Sequence, residues 1–539
     1  MTTETAPQST SRNIRWRVPA FYAALVLLAI AGLVQRLPGL DPFSLWLDDL
    51  WLAVLTKHAS SRFLLTGSSP CPPAFGLLIR WFTAIAGYGE WQFQMFPLVA
   101  GLAYVVLAGH FAFSVTRRMS VGLMAAAFAV ANPALAIFSL RVKPYTLDAL
   151  ITQALLMAAL ASWQRRTARS LAGLTALAAL GMVLSFPSLL VSAALINAIV
   201  LCTLLEKNSV RAWGPPLTTA AACNAALLVT FLLFIRPHFS GHWSGLLANY
   251  YASPTLAFMR GKGAALFWGA FPARLTWIAL FVPAGLYALM REKKWRGVGL
   301  ALLIFYPGLF LASMIRLYPI GAGRTDIFTY PLTIAAAVFG IDLLTRKYRF
   351  FAVGGAVFAL AVFGFELATI RYTYPESGAR AVVEHAGRTV TPDDGLVIYP
   401  SSNWPVALYG RWPTRLVVLE EPDTGFYMYP ERPRTLVINE VIDGVWRPSV
   451  KRQLEPFLAN GHERIAYVAS SVVSHVNAVI VECITAHGYE AQAKQEYPSS
   501  CLTVFVRRRP GAVPDVPHGP STGQAIRNTS GDSHQEVDR

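Results

Sequence analysis

The sequence Phe43-Ser44-Leu45-Trp46-Leu47-Asp48-Asp49-Leu50-Trp51 lies a few residues beyond the first long apolar run of the chain. It contains the only adjacent pair of acidic residues in the first 370 positions. A carboxylate among leucine and tryptophan beside a bilayer costs several kcal/mol unless a cation or a hydrogen-bond donor accompanies it. The pair Asp48-Asp49 therefore indicates either a buried ion pair or a chemical role.

The composition around this stretch is that of a polytopic membrane protein. Of 539 residues, 54% are hydrophobic and only 14% are charged, and the mean hydropathy is positive. The net charge of +16 lies in one part of the chain, because residues 1–370 carry 29 lysines and arginines against 11 acidic residues, whereas residues 371–539 carry 17 against 19. Membrane topology accounts for this distribution, so the charge does not indicate a nucleic-acid partner.

Eleven apolar runs of the membrane half are long enough to cross a bilayer. They lie at 18–35, 93–115, 120–138, 145–163, 170–186, 187–205, 217–235, 270–290, 297–315, 327–344 and 350–370. Alternate connections between them hold 17 lysines and arginines, which the positive-inside rule places in the cytoplasm with the N-terminus. The other connections, including the long one over 36–92 that carries the acidic pair, are then exterior to the plasma (inner) membrane.

The composition changes after Ile370, where the transmembrane domain 1–370 ends. Strand-like stretches alternate with amphipathic helical stretches, and this predicts an exterior α/β domain over 371–508. The strand-like stretches begin at Gly395, Arg415, Thr435 and Glu463, and the helical ones lie near 376–388, 449–459 and 471–487. Cys483 and Cys501 are expected to form a disulfide in that compartment. Residues 509–539 lack periodicity and are predicted to be a disordered tail.

The acidic pair has both a structural and a catalytic interpretation. Solvation at the interface would suffice for a structural pair. Adjacent helical residues point about 100° apart, however, so Asp48 can face a site while Asp49 is held by a partner or a metal ion. Attack by a hydroxyl requires a base that accepts its proton and a second group that orients this base. Asp326 is two residues from Arg324, and this spacing predicts a local ion pair.

Basic residues gather in two short exterior connections. Arg141-Val142-Lys143-Pro144-Tyr145 lies in one of them, and Arg324 follows two glycines in another. Contact with lipid headgroups is the simplest role for exposed cations, but Arg and Lys also hold phosphate and stabilise the charge it gains as a leaving group. Asp148 follows Arg141 and Lys143 closely, and its simplest role is an ion pair within the helix bundle.

These motifs, in this order, resemble those of the GT-C-fold glycosyltransferases, in particular the bacterial relatives of protein O-mannosyltransferases and of the lipid A aminoarabinose transferase. The resemblance covers about residues 15–345. It rests on Trp46-Leu47-Asp48-Asp49, Pro72-Pro73, Gly89-Glu90 with Phe96-Pro97 and Gly101, Arg141 to Tyr145, and Gly323-Arg324 with Tyr330-Pro331. It implies an all-α polytopic membrane domain that takes a sugar from a polyprenyl phosphate on the exterior side and inverts the anomeric carbon.

The resemblance also implies roles for individual residues. Asp48 and Asp49 are the expected catalytic pair, and the expected ligands of the donor phosphate are Arg141, Lys143, Tyr145 and Arg324. His58, Glu90 and Asp148 are further candidates. The family more often has Glu at the position of Asp49, which leaves open whether Asp49 would bind a divalent metal ion. Gln94 stands where relatives often have Arg, so Glu90 is expected to lack a partner.

The sequence thus predicts an integral membrane glycosyltransferase with a polyprenyl-phosphate sugar donor and a protein, lipid or cell-envelope glycan as acceptor. Two alternatives remain. A flippase or transporter of lipid-linked sugars also needs many spans and interior charges, but no internal repeat is evident. A membrane scaffold that displays the exterior domain needs no acidic pair facing basic residues. The sugar and the acceptor stay open.

Overall fold

The computed structural model describes residues 10–66, 71–206, 214–238, 250–321, 323–347, 377–419, 425–438, 446–471 and 474–508, with positions 361, 364, 365, 372 and 374. The predicted tail 509–539 and nearly all of the predicted span 350–370 lie outside these residues.

The first two thirds of the chain are helical. The α-helices are α1 (Thr10–Arg36), α2 (Leu47–His58), α3 (Ser61–Thr66), α4 (Pro73–Ala86), α5 (Glu90–Thr116), α6 (Met119–Ala131), α7 (Pro133–Phe138), α8 (Tyr145–Arg165), α9 (Ala168–Leu184), α10 (Ser188–Leu205), α11 (Gly214–Thr230), α12 (Leu256–Phe258), α13 (Ala264–Trp268), α14 (Val282–Arg291), α15 (Arg296–Met314) and α16 (Tyr330–Lys347). Two π-helical segments, Phe231–Ile235 and Met259–Gly263, extend α11 and join α12 to α13. A 3₁₀ segment, Ala273–Phe281, leads into α14, and another, Ile327–Thr329, leads into α16.

Seven helices in the described ranges are long and apolar enough to cross a membrane, so the protein is a multi-pass membrane protein. They are Val18–Gly39, Glu90–Thr116, Tyr145–Arg165, Ser188–Leu205, Gly214–His238, Arg296–Met314 and Ile327–Arg346. Each coincides with a predicted apolar run. Most residues of the last of them are buried, and it therefore lies at the centre of the bundle.

Three other predicted spans are shorter or interrupted in the structure. The run 120–138 divides into α6 and α7 at Pro133, which occupies the first turn of the second helix, where its missing N–H costs nothing. The run 170–186 forms the 17-residue α9, and the run 270–290 begins as a 3₁₀ segment before α14. The count of eleven spans therefore stays a prediction.

Close helix contact fixes the central packing. At Gly285 on α14, an added Cβ would lie 1.7 Å from the carbonyl oxygen of Ala336 on α16. At Gly340 an added Cβ would lie 2.1 Å from the carbonyl oxygen of Phe281. Only glycine permits such an approach of two backbones, a device common between helices in membranes.

The predicted exterior connection 36–92 folds into short helices, as its apolar composition indicated. These helices are α2, α3 and α4, and they share a buried core built from Leu50, Leu55, Phe75 and Ile79. Proline opens α4 at Pro73. The acidic pair begins α2, so its first turn carries both carboxylates.

The C-terminal part contains a five-stranded sheet, which confirms the predicted α/β class. Its strands are β1 (Gly395–Ile398), β4 (Thr435–Val437), β5 (Arg464–Ser470), β6 (Tyr489–Tyr497) and β7 (Ser500–Arg507). The order is β4-β1-β5-β7-β6, in which β1 is parallel to β4 and β5, while β7 is antiparallel to β5 and β6. In register, Val397 lies opposite Leu436 and Tyr467.

Helices cover both faces of this sheet, because neighbouring strand residues point to opposite sides. Val397 packs in one core with residues of α19 (Trp446–Ala459) and α20 (Ser474–Ala486), including Leu454 and Ile480. Leu396 and Ile398 pack in the other core with residues of α17 (Ala379–Thr389). The remaining helix of this domain, α18 (Asn403–Tyr409), lies beside α2.

The strand predicted at Arg415 is present as β2 (Thr414–Leu419), which pairs with β3 (Gly425–Pro430) in an antiparallel ribbon outside the main sheet. One sequence prediction for this domain is wrong. The expected disulfide is absent, since Cys483 and Cys501 are free thiols within the described residues. Both side chains pack as small apolar groups in the same core, one from a helix and one from a strand.

Candidate active site

Asp49 is a buried carboxylate with three hydrogen-bond donors. The Nε of Arg141 lies 2.5 Å from its Oδ2, and the backbone N–H of Val142 donates to its Oδ1 at 3.0 Å. The hydroxyl of Tyr374 also donates to Oδ2. The Asp49 side chain has no solvent exposure. Its contacts therefore tie α2 to the connection before α8 and to the first residues of the C-terminal domain, which begins at residue 371.

Asp48 is the accessible member of the pair. Its side chain is 42% exposed, and its Oδ2 accepts a hydrogen bond from Nη1 of Arg324 at 3.0 Å. Burial alone would raise the pKa of Asp48, but the charges of Lys143, Arg324 and Arg141 outweigh burial and lower it. Asp48 is therefore an ionised carboxylate with an open face, surrounded by cations.

Lys143 is half-buried and lies close enough to both aspartates to feel their charges. Its Nζ lies 5.5 Å from the centre of the Trp51 ring. Burial lowers the pKa of Lys143 despite the two carboxylates. The described part of the chain gives its ammonium no hydrogen bond or ion pair. An ammonium held by a ring face and nearby charge alone is ready to bind an added anion.

The loop that presents Arg324 is organised by Asp326, and not by the predicted pair between these two residues. The Asp326 carboxylate accepts backbone N–H groups of Gly321 at 3.0 Å and of Gly323 at 3.2 Å. Both glycines have positive φ, at 80° and 67°, which non-glycine residues rarely adopt. This turn directs Arg324 to Asp48. The predicted local pair is wrong because the backbone N–H groups are nearer partners for the carboxylate.

The C-terminal region contributes residues that the sequence did not indicate. Tyr374 donates to Asp49 and accepts the backbone N–H of Trp46 at 3.0 Å. The hydroxyl of Tyr409 accepts the backbone N–H of Leu45 at 2.9 Å. Tyrosines that follow the last span by a few or by forty residues carry no sequence signal, since only the tertiary fold brings them to the acidic pair.

Glu90 has a partner, contrary to the expectation drawn from Gln94. The Nη1 of Arg380 lies 3.2 Å from Oε1 of Glu90, so a residue of α17 supplies the missing cation. Gln94 instead accepts the backbone N–H of Asp41 at 2.9 Å and donates to the carbonyl of Leu140 at 2.7 Å. Gln94 thus holds the connection that leads to α2, whereas Glu90 holds α17. The structure does not bring Glu90 to the open face of Asp48.

Three other predicted residues, Tyr145, His58 and Asp148, lie in different parts of the structure. Tyr145 begins α8, its ring packs edge-on against Phe138 at 5.1 Å, and it lies within the electrostatic range of Asp48 and Arg324. His58 ends α2 about 15 Å along the helix from the acidic pair, a distance that follows from the helical rise. Burial lowers the pKa of His58, which faces Ala407.

Asp148 does not form the ion pair expected with Arg141, because that guanidinium binds Asp49. The Asp148 carboxylate is buried in α8, and within the described residues its Oδ1 has no hydrogen-bond partner. No basic side chain of the described ranges pairs with it.

A divalent ion does not fit Asp49. Its surroundings are a guanidinium, a phenol and a backbone N–H, all of them donors, whereas a hard cation requires several oxygen acceptors. Over the described positions, no group of three His, Cys, Asp or Glu residues could hold a metal ion.

An apolar cavity of about 140 Å³ lies near the loop that carries Arg324. It is lined by Phe186, Leu189, Leu190, Phe231, Ile235, Arg236, Arg316, Leu317 and Tyr318. The hydroxyl of Tyr318 donates to the carbonyl of Thr325 at 3.1 Å, which connects the cavity wall to that loop. Apolar walls with two guanidinium groups suit an anionic amphiphile.

Comparisons with known proteins show the fold. No protein-family model and no curated protein sequence matches the chain. The structure is similar to the crystal structure of ArnT from Cupriavidus metallidurans in the apo state, with a TM-score of 0.54 and 12% sequence identity over 92% of this chain and 98% of that one. The structure of ArnT from the same organism bound to undecaprenyl phosphate gives a TM-score of 0.49 and 13% identity over 90% and 97%. The chain therefore has the GT-C fold of ArnT, as its motifs predicted.

Proposed function

We propose that the protein is an inverting glycosyltransferase of the plasma (inner) membrane that moves a sugar from a polyprenyl-phosphate donor to an acceptor hydroxyl. The observation that carries this proposal is the contrast within the acidic pair. Asp49 is enclosed by donors, whereas Asp48 keeps an open face where cations from two separate connections converge. A pair that was only solvated at the interface would not need cations from two connections around it.

Asp48 acts as the general base. Its lowered pKa keeps it ionised near neutral pH, so it accepts the proton of the acceptor hydroxyl as that oxygen attacks the anomeric carbon. The bond from the anomeric carbon to the phosphate oxygen breaks in the same displacement. One attack from the face opposite the leaving group inverts the anomeric carbon.

Lys143 and Arg324 bind the donor phosphate. The phosphate departs as an anion and needs no proton, so nearby positive charge is the assistance that it requires. Arg141 donates to Asp49 through Nε, and its Nη groups remain for the phosphate. Tyr145, within the electrostatic range of Arg324, is positioned to donate a hydrogen bond to the same group.

The apolar cavity is large enough for a short part of the donor's lipid chain. Phe186, Leu190 and Ile235 offer a surface for a hydrocarbon chain. The fold of ArnT, a GT-C glycosyltransferase, supports a lipid-linked donor as well. The acceptor is a hydroxyl of a protein, a lipid or a cell-envelope glycan on the exterior side, where the C-terminal domain also lies.

The test is transfer from radiolabelled polyprenyl-phosphate sugars by membranes that contain the protein. Transfer releases free polyprenyl phosphate and moves label into an acceptor fraction, whereas a flippase leaves the donor intact. We expect release with the unaltered protein and with Asp393→Asn, a control at a carboxylate whose side chain is 93% exposed. If the donor stayed intact with every sugar tried and moved across the vesicle membrane, the protein would be a transporter and not a glycosyltransferase.

A further inference from the structure

We propose that the C-terminal domain takes part in transfer by fixing the position of Asp48, with Tyr374 as the principal positioning residue. This inference rests on the proposed role of Asp48 as the base. It assigns to the C-terminal domain a task that the catalytic groups of the membrane domain cannot perform alone.

Tyr374 holds the backbone and the side chain on either side of Asp48. Its hydroxyl oxygen accepts the N–H of Trp46, two residues before Asp48, and its proton goes to Asp49, the residue after it. One phenol therefore fixes two points that flank the base. Arg141 lies over the Tyr374 ring, with Cζ 5.7 Å from the ring centre, so the same residue also supports the cation that neutralises Asp49.

Other residues of the C-terminal domain contact the segment that precedes α2. The N–H of Leu45 donates to Tyr409, and Ser44 accepts the backbone N–H of Arg380 at 3.2 Å. Three consecutive residues, Ser44 to Trp46, are thus held by groups from residues 374–409. The helix that follows also lacks a side-chain cap, because Trp46 at its N-cap position provides none.

Packing extends the attachment to the outer face of α2. The rings of Trp51 and Phe426 lie 5.3 Å apart, and Val54 shares a small core with Ala407 and Met428. These residues come from α18 and β3, so the catalytic helix lies between the membrane domain and the C-terminal domain. A 12-residue helix is only marginally stable alone and depends on such contacts.

The position of a base matters as well as its presence, since a displacement of about 1 Å can reduce the rate roughly 10²-fold. Removal of the Tyr374 hydroxyl leaves the N–H of Trp46 without its acceptor and Asp49 without one donor. The first turn of α2 is then free to move relative to Arg324, whose loop is held separately by Asp326. Turnover should therefore fall with little change in donor binding.

The experiment compares Tyr374→Phe with Tyr489→Phe in the full-length protein. Tyr489 is a matched control, because its buried hydroxyl also donates within the C-terminal domain, to the carbonyl of His462 at 2.8 Å, far from α2. We expect Tyr374→Phe to lower kcat by about tenfold or more with the donor KM within about twofold. Tyr489→Phe should leave both values unchanged. Tyr409→Phe should give a smaller loss of the same kind, and it replaces Tyr374→Phe if that variant does not fold.

Amide hydrogen exchange gives a second measurement that needs no activity. The N–H groups of Asp49 and Leu50 close the first turn of α2 on the carbonyl of Trp46, at 2.9 and 2.8 Å. Local opening there should become roughly fivefold more frequent in Tyr374→Phe, and no more frequent in Tyr489→Phe. Unchanged exchange and unchanged kcat in both Tyr374→Phe and Tyr409→Phe would overturn the proposal, and so would faster exchange with normal kcat. Absence of transfer by the unaltered protein would overturn the proposed function instead.

Discussion

Asp48 and Asp49 are chemically alike and adjacent, yet their environments separate them. Three donors enclose Asp49, whereas Asp48 is 42% exposed and meets one guanidinium. The sequence predicted this division from the angle between neighbouring helical side chains. It could not predict the donor from Tyr374, 325 positions away.

At Asp48, replacement by Asn keeps the shape of the side chain and removes its ability to accept a proton. We expect Asp48→Asn to lower transfer by at least about 10²-fold, the usual scale of general base catalysis, with donor affinity retained. Transfer rate and equilibrium binding of a labelled donor measure the two effects. Near-normal transfer by a folded Asp48→Asn protein would remove Asp48 from the mechanism.

Arg141 and Arg324 should respond differently to the same substitution. Arg141→Ala leaves the buried Asp49 carboxylate without its cation, which costs about 3–5 kcal/mol, so this variant should lose folded yield. Arg324→Ala removes a partner of an exposed carboxylate, so it should fold normally and bind donor more weakly. Yield and thermal stability in detergent, measured beside donor affinity, separate the two residues. Equal loss of yield in both variants would contradict this distinction.

At the scale of a single loop, Asp326 links pH to the position of Arg324. Burial raises the pKa of Asp326 from 3.8 to about 6, although N–H groups of Gly321 and Gly323 oppose the shift. The carboxylate becomes protonated as the pH falls through about 6 and then accepts those N–H groups less strongly. The turn that directs Arg324 should loosen under the same conditions.

We therefore expect transfer to decline as the pH falls from 7 to 5, with Asp326→Asn removing this decline. Asp48 does not cause it, because its lowered pKa keeps it ionised over that range. Loss of stability does not cause the decline in transfer either. Because the pKa of Asp326 is higher in the folded protein than in the unfolded chain, the folded protein binds this proton more tightly. Protonation of Asp326 therefore makes the folded protein more stable as the pH falls from about 6 to 3.8. The measurement is a pH–rate profile of both proteins, and an unchanged decline in Asp326→Asn would exclude this carboxylate.

The helices and strands that were predicted best from the sequence are those in which one residue property dominates. Long apolar runs gave the helices that cross the membrane, and aliphatic stretches gave β1 and β5. The strand β6 was missed because seven of its nine residues are exposed, which removes the alternation that marks a half-buried strand. The strand β2 was predicted, but its pairing with β3 outside the main sheet was not, because the residue pattern of a strand does not indicate its partner.

For the whole molecule, the distribution of cations predicts which side of the membrane each end of the chain occupies. Cysteine placed at Glu292, in a cation-rich connection, should react with a membrane-impermeant thiol reagent only after the membrane is opened. Cysteine placed at Asp393, in the C-terminal domain, should react in intact cells. The native cysteines are all buried and give a low background. Reaction at position 292 in intact cells would reverse the predicted orientation.

The Tyr374 contact also has a consequence for biosynthesis. The ribosome completes α2 more than 300 residues before it adds Tyr374, so the newly inserted membrane domain waits with Trp46 and Asp49 short of a hydrogen-bond partner. Under the proposed function, Asp48 is therefore fixed only after residues 374–409 have been added and have folded. A product truncated before Tyr374 should then transfer sugar more slowly than the longer chain.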